Sequence, residues 1–236
     1  MNTSLKMEQS LYIARSSVFL RQQVVDVLRQ AITDGRFAPG TRLVERELCQ
    51  LTGVSRTSVR EALRHLEAEG LVKSVSNRGP IVAELTIDDA RAIYDIREAL
   101  ETLAARRFAE LATDGEVKQL QDQLEELRKA LAAGDLAAMG ISTKKLYDIL
   151  LQGCRNTIIC DVIRGLQARV GFLRSKSVSY PGRAPLSVAE MEDIVSAISR
   201  RDPAAAEQAS ARHVRNACSA ALAVMQERQT EERSIR

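Results

Sequence analysis

Three arginines recur at every fourth position, Arg56, Arg60 and Arg64, just after the start of a cluster of short hydroxyl side chains at Ser55, Thr57 and Ser58. A guanidinium presents a planar fork of donors that suits phosphate oxygens and the guanine edge in the major groove, and short hydroxyls add contacts of the same kind. Other chemistry is sparse. Histidine occurs twice, as His65 and His213, and Cys49, Cys154, Cys160 and Cys218 are widely spread, without the close paired spacing of a zinc site. With so few groups able to act as nucleophile, base and oxyanion donor, little in the chain supports catalysis. The cysteines read as small buried or half-buried side chains in a reducing compartment.

The arginines need a helix to hold them, and the local pattern supplies one. Glu45 to Thr52 carries apolar positions at Leu48 and Leu51, which predicts a short helix before Gly53, a residue free to make a tight turn. Ser55 is placed to cap the next helix. At about 100° per residue, Val59, Ala62, Leu63 and Leu66 gather on one side of it, leaving the arginines on a neighbouring side. Beyond Gly70, Leu71 to Val75 and Pro80 to Ala83 predict two short strands around Ser76-Asn77-Arg78-Gly79. An ordinary amphipathic helix with a solvated basic face is the plainer reading, but the hairpin that follows argues for a winged helix-turn-helix. Its recognition helix would meet double-stranded DNA at its N-terminal end.

From Val24 to Val82 the chain resembles the GntR family of bacterial transcription regulators. The resemblance rests on Pro39-Gly40, Leu43, Glu45 to Leu48, Gly53 to Leu63, Leu66-Glu67, Glu69 to Val72 and Arg78-Gly79. It implies DNA contacts from Arg46, from Ser55, Arg56, Thr57, Ser58 and Arg60, and from Gly79 in the wing. Ser58 stands where proline is common and Cys49 where alanine is common; serine still suits a first helical turn.

The charge distribution agrees. The net charge of +3 lies in residues 1–84, which hold 12 Lys and Arg against 9 Asp and Glu, while the remainder holds 22 of each. An excess confined to that region is what attraction to phosphates requires. Aromatic residues make up 3%, with no tryptophan, which favours helices over sheet. No charged-then-apolar leader and no apolar run of about 18 residues is present, so a cytoplasmic protein without membrane contact is expected.

Residues 85–230 read as a second, all-helical domain. Thr86 opens a long segment through Leu111 with Ala90, Ile93, Ile96, Leu100 and Leu103 at helical spacing. Thr113 with Glu116 has the spacing of a capping box ahead of Leu120, Leu124, Leu127 and Leu131. That leucine stripe is short for a coiled coil and reads as a bundle face. Asp135, then Asn156 or Thr157, open two more helices; Ser187 with Glu190 repeats the capping-box spacing; and Asp202-Pro203 starts the last helix, to about Arg228. The fold expected is mainly α: residues 1–15 a loose tail, 16–84 a winged helix-turn-helix, and 85–230 an antiparallel helical bundle.

This second part resembles the FCD domain, the effector domain of the FadR branch of GntR regulators, through Tyr94 to Leu103 with Arg97, Glu98 and Glu101, through Gly165 to Arg174, and through Asp202 to Ala206 leading to His213. The resemblance implies a central cavity that binds a small organic acid or related metabolite, often beside a divalent metal held by one aspartate and three histidines. In this sequence those four positions fall on Thr143, Tyr147, Met191 and His213, so one ligand of four is retained. A zinc ion normally takes three or four protein ligands, and no metal cofactor is expected. The cavity itself is expected to persist, lined by Thr143, Tyr147, Met191 and His213, with Arg97 or Arg174 supplying charge for a carboxylate. A hydrogen-bonded core role for His213, and salt bridges within the bundle for either arginine, are the alternatives.

The resulting expectation is a homodimeric, metabolite-responsive repressor that reads a pseudo-palindromic operator. A nucleoid-associated protein with no effector is one rival. An enzyme built on the helical bundle is another.

Overall fold

The computed structural model describes the backbone of residues 15–33 and 35–234, and side chains within 22–33 and 35–231. The tail expected over residues 1–15 lies outside the described residues apart from Arg15, which opens a helix. The chain divides between Glu84 and Leu85 into two compact units.

The first unit contains α1 (Arg15–Thr33), α2 (Glu45–Thr52), α3 (Arg56–Ala68), β1 (Val72–Val75) and β2 (Gly79–Val82). Val24, Val25, Leu28 and Ile32 bury one stripe of α1, and Val59, Ala62, Leu63 and Leu66 bury one stripe of α3; the two helices pack together, and α3 also meets α2 and β1. The turn between α2 and α3 uses Gly53 at φ +70°, whose N–H closes onto the Cys49 carbonyl at 2.9 Å. A side chain is strained in that left-handed conformation, which is why glycine serves there. Leu48 is buried, but Leu51 is 72% exposed, so one apolar position rather than two anchors this short helix.

The strands pair antiparallel in the register Val72 with Val82 through Val75 with Gly79. Asn77 and Gly79 take positive φ and turn the hairpin. Arg42 adds a bridge to Ile81 that the sequence pattern does not suggest.

The second unit is a bundle of α4 (Ile87–Leu111), α5 (Asp114–Ala132), α6 (Leu136–Gly153), α7 (Thr157–Ser179), α8 (Arg183–Ser199) and α9 (Pro203–Ser234). Reciprocal capping boxes start α4 through Thr86 and Asp89 and α5 through Thr113 and Glu116. Asp135 caps α6, Asn156 caps α7, and the Asp202 carboxylate accepts the Ala205 N–H at the start of α9. Leu120, Leu124 and Leu127 are buried and Leu131 packs against the same core, so the leucine stripe faces the bundle. Phe108 and Gly153 pack so closely that a Cβ at Gly153 would meet the Phe108 ring at 2.3 Å.

Three local expectations are corrected. Gly182, at φ +74°, turns the chain directly into α8 at Arg183, so Ser187 and Glu190 lie inside that helix and form no cap. The last helix runs beyond Arg228 to Ser234. On α4, Ile96 and Leu103 are about two-fifths exposed, and the buried face instead carries Tyr94, Arg97, Glu101, Ala105 and Phe108. A helix face chosen by apolar periodicity misses an ionic pair that the interior neutralises.

Candidate nucleic-acid interface and effector site

In the first unit, Ser55 caps α3: its Oγ accepts the Ser58 N–H at 3.3 Å and lies 3.0 Å from the Ser58 hydroxyl. Capping satisfies a backbone donor of the first turn and fixes where the helix begins. Arg46, Ser55, Arg56, Thr57 and Arg60 are exposed, Ser58 is half-buried, and Gly79 sits at the turn end of the hairpin opposite Val75. The fold therefore keeps all six side chains accessible to solvent at least in part, with the apolar face of α3 turned inward.

Arg60 is already engaged. Its Nε and Nη2 donate to the two Glu45 oxygens, each at 2.9 Å, and these hydrogen bonds hold the Glu45 carboxyl below the usual carboxylate range. The pair is solvent-exposed, and such pairs contribute little to stability. A phosphate or base edge can take the place of Glu45 at small cost.

In the second unit, a network of buried charge lies inside the bundle. Arg97 is 0% exposed and donates from Nε and Nη2 to Glu101 at 2.8 and 3.3 Å. Arg174 reaches the same carboxylate at 3.4 Å and stacks its guanidinium 3.7 Å from the centre of the Tyr147 ring. Burial alone would raise the Glu101 pKa, but Arg97 and Arg174 outweigh it and keep the carboxyl ionised. Burial likewise opposes the charge on Arg97, and the Glu101 carboxylate reverses that effect. Burial and the neighbouring Glu101 carboxylate push the Tyr147 phenol well above its ordinary value.

The tilted ring of His213 sits 6.5 Å from that of Tyr147 and continues the network. His213 Nδ1 lies 2.7 Å from Glu190 Oε2, which also accepts Arg183 Nη2 at 2.5 Å, while Glu190 Oε1 accepts Asn216 at 2.7 Å. These three donors hold Glu190 ionised against its burial. A carboxylate only accepts, so Nδ1 of His213 carries the proton. Burial lowers the His213 pKa despite the Glu190 hydrogen bond, and the imidazole is neutral at neutral pH. Glu190 and Arg183 do not stand out in the sequence as polar partners; the spacing that suggests a cap at Glu190 in fact places its carboxylate on the bundle interior.

Of the residues expected around the cavity, Arg97, Tyr147, Arg174 and His213 come together. Met191 is fully buried in the apolar core, and its neighbour Glu190 supplies the polar contact instead. Thr143 is half-buried one turn before Tyr147 and takes no part in the network. The four aligned positions do not fit a divalent metal: Thr143 and Met191 offer no anionic or imidazole donor and Tyr147 is held protonated, which leaves His213 as a single imidazole where three or four protein ligands are normally needed. Among the described residues no group of three or more His, Cys, Asp or Glu is arranged to hold an ion.

Five polar atoms inside the bundle have no hydrogen-bond partner among the described residues: the Tyr94 hydroxyl, Arg97 Nη1, Arg174 Nε, and Nε and Nη1 of Arg183. Each such atom costs about 1–3 kcal/mol when left unpaired.

The depressed His213 pKa has a measurable consequence. Unfolded, this imidazole takes up a proton below pH 6.5, whereas the buried ring does so only at lower pH. Stability contributed here is present above pH 6.5 and is lost as pH falls below it. Melting temperature is expected to decline from that point downward, and His213→Gln is expected to flatten the first part of the decline. Equal slopes for the two proteins would show that His213 does not titrate as described.

The FCD domain family matches residues 92–216, and the family described as bacterial regulatory proteins, gntR family, matches residues 20–82. The chain is 30% identical over 207 residues to the HTH-type transcriptional regulator YdhC of Bacillus subtilis (strain 168), covering 87% of this chain and 92% of that one. It is 30% identical over 208 residues to the HTH-type transcriptional repressor RspR of Escherichia coli (strain K12), covering 88% and 91%. Among solved structures, E. coli McbR/YncC superposes with a TM-score of 0.75 at 22% identity, covering 88% and 98% of the two chains. A GntR regulator from Rhodococcus sp. RHA1 gives 0.72 at 23% identity, covering 86% and 97%. These two structures share the fold.

Proposed function

Because this chain belongs to the GntR family of bacterial regulatory proteins and joins that family's DNA-binding domain to an FCD domain, we propose that it is a metabolite-responsive transcriptional repressor. The DNA-binding half of this reading is carried by one observation. A capped helix, α3, shows Arg56 and Arg60 to solvent next to a two-stranded wing, in the unit that holds the chain's excess positive charge. Arg46, Ser55, Thr57, Ser58 and Gly79 complete the surface offered to DNA.

The second unit is the sensor. Its effector is a small organic acid, bound without a metal ion by the buried cluster around Arg97, Arg174 and Tyr147. Arginine matches a planar carboxylate well. The protein acts in the cytoplasm as a homodimer whose two α3 helices read the half-sites of a pseudo-palindromic operator. The effector lowers operator affinity by favouring one placement of the two winged helices over another. No enzymatic step is assigned to it. The sign of control is repression, in keeping with the name of RspR.

The test is selection of operator sequences from a random duplex pool with the full-length chain, followed by gel shifts across salt concentrations. Selected duplex is expected to bind at least about 1,000-fold more tightly than random duplex. Organic acid added in the presence of EDTA is expected to release it. Equal affinity for both duplexes at every salt concentration would favour the nucleoid-associated alternative, since non-specific binding is dominated by phosphates.

A further inference from the structure

The cations within the second unit, the buried Arg97 and Arg183 and the 18% exposed Arg174, are not matched one for one. Glu190 serves Arg183 alone, its other donors being the neutral His213 and Asn216, whereas Glu101 by itself serves both Arg97 and Arg174. One positive charge is left over beside Glu101. The unpartnered Arg97 Nη1 and Arg174 Nε belong to these two arginines. Water can satisfy such N–H groups but leaves the charge in place, and solvent screens a partly buried charge such as that of Arg174 less than an exposed one.

Arg174 also lines a cavity of about 60 Å³ at the seam between α6 and α7, together with Tyr147, Gln152, Cys160 and Gln167. The two ionic groups at its rim cancel within pairs of their own. Asp148 meets Lys144 at 2.8 Å, and Arg164 meets Asp161 at 2.7 Å. The unmatched charge at the seam is therefore that of Arg174. At roughly 10–15 Å³ of such space per water, the cavity has room for a handful of non-hydrogen atoms.

Resting on the effector reading given above, we propose that this seam is a metal-independent binding site for a small organic monoanion, with Arg174 taking its negative charge. The size fits a monocarboxylate of roughly two to four carbons. Gln152 and Gln167 offer amides to a hydroxyl or keto group on such an acid. A dicarboxylate is selected against because its second charge meets no free cation among the described residues of the seam, and desolvating it without one is unfavourable.

The experiment uses the full-length chain in EDTA, with melting temperature followed against acetate, lactate, malonate and succinate. A ligand that prefers the native state raises the melting temperature in a saturable way. Acetate or lactate is expected to do so, with malonate and succinate at least tenfold weaker. Arg174→Gln is expected to abolish the shift. Gln167→Phe narrows the seam without altering any charge and is expected to weaken binding at least tenfold; circular dichroism establishes that each variant is folded. If Arg174→Gln does not fold, Gln167→Phe decides.

Undiminished monocarboxylate binding in folded Gln167→Phe, dicarboxylates binding as tightly, or a shift that appears only when EDTA is replaced by zinc would each overturn the seam assignment. No shift with any of the four acids would overturn it too. Operator release by a metabolite that binds Gln167→Phe unchanged would overturn the seam and leave the effector-responsive regulator standing. Loss of operator release by every metabolite would instead count against the effector reading itself.

Discussion

Glu101→Ala is expected to destabilise the second unit by about 3–5 kcal/mol, the range seen when one partner of a buried ion pair is removed. The carboxylate lies among two guanidiniums, one of them wholly buried, and among the described residues no other anion within hydrogen-bond reach replaces it. Its removal leaves two positive charges facing each other in the bundle interior. Domains are stable by only about 5–15 kcal/mol in total, so much of the unit would unfold near physiological temperature. Urea denaturation followed by helical circular dichroism measures the loss. A control separates charge from packing: Arg97→Met combined with Glu101→Leu is expected to recover most of the stability, because apolar groups of similar volume replace buried pairs at little cost. That double variant leaves Arg174 without its carboxylate, so the recovery is expected to be incomplete. A loss below about 1 kcal/mol for Glu101→Ala, the scale of an exposed pair, would mean that the pair is solvated.

Arg56→Ala is expected to weaken operator binding by about tenfold to a hundredfold, equivalent to about 1–3 kcal/mol for one base contact. Arg56 is exposed on the first turn of α3, so its removal is expected to leave the melting temperature unchanged. Salt dependence identifies what the side chain touches. If Arg56 pairs with a phosphate, the variant binds all duplexes more weakly alike and its salt slope falls by about one; if it pairs with a base edge, discrimination relaxes at one operator position. Arg60→Ala is also expected to weaken binding. Glu45→Gln is expected to strengthen it, because the carboxylate that competes for Arg60 is gone. Unchanged gel shifts for both arginine variants would remove this face of α3 from the interface.

The turn, cap and hairpin of the first unit were legible in the sequence because their determinants are local. Gly53, Ser55, the apolar stripe Val59, Ala62, Leu63 and Leu66, and the hairpin residues Asn77 and Gly79 lie within a few residues of what they act on. Each reports its own backbone conformation or its own helix face. The capping residues Thr86, Thr113, Asp135, Asn156 and Asp202 were legible for the same reason. Ser187 and Glu190 had the right spacing and the wrong context: Gly182 had already turned the chain into α8, and position within the helix outranks the motif.

What the sequence by itself determined is where helices begin, which of their stripes are apolar, and which basic residues stand together on α3. These follow from interactions within about one helical turn. Only the tertiary structure decided that Arg97 and Arg174 share one carboxylate, that Glu190 rather than Met191 meets His213, and that Arg174 stacks on Tyr147. Those pairings join α4 to α7 and α8 to α9 across 73 and 23 residues of chain. A charge reads the same in the sequence whether it is solvated or buried, and its consequences depend on desolvation and on which opposite charge lies within hydrogen-bond reach. Both are set by packing between distant elements, and so the sensor's chemistry became readable only once the bundle was assembled.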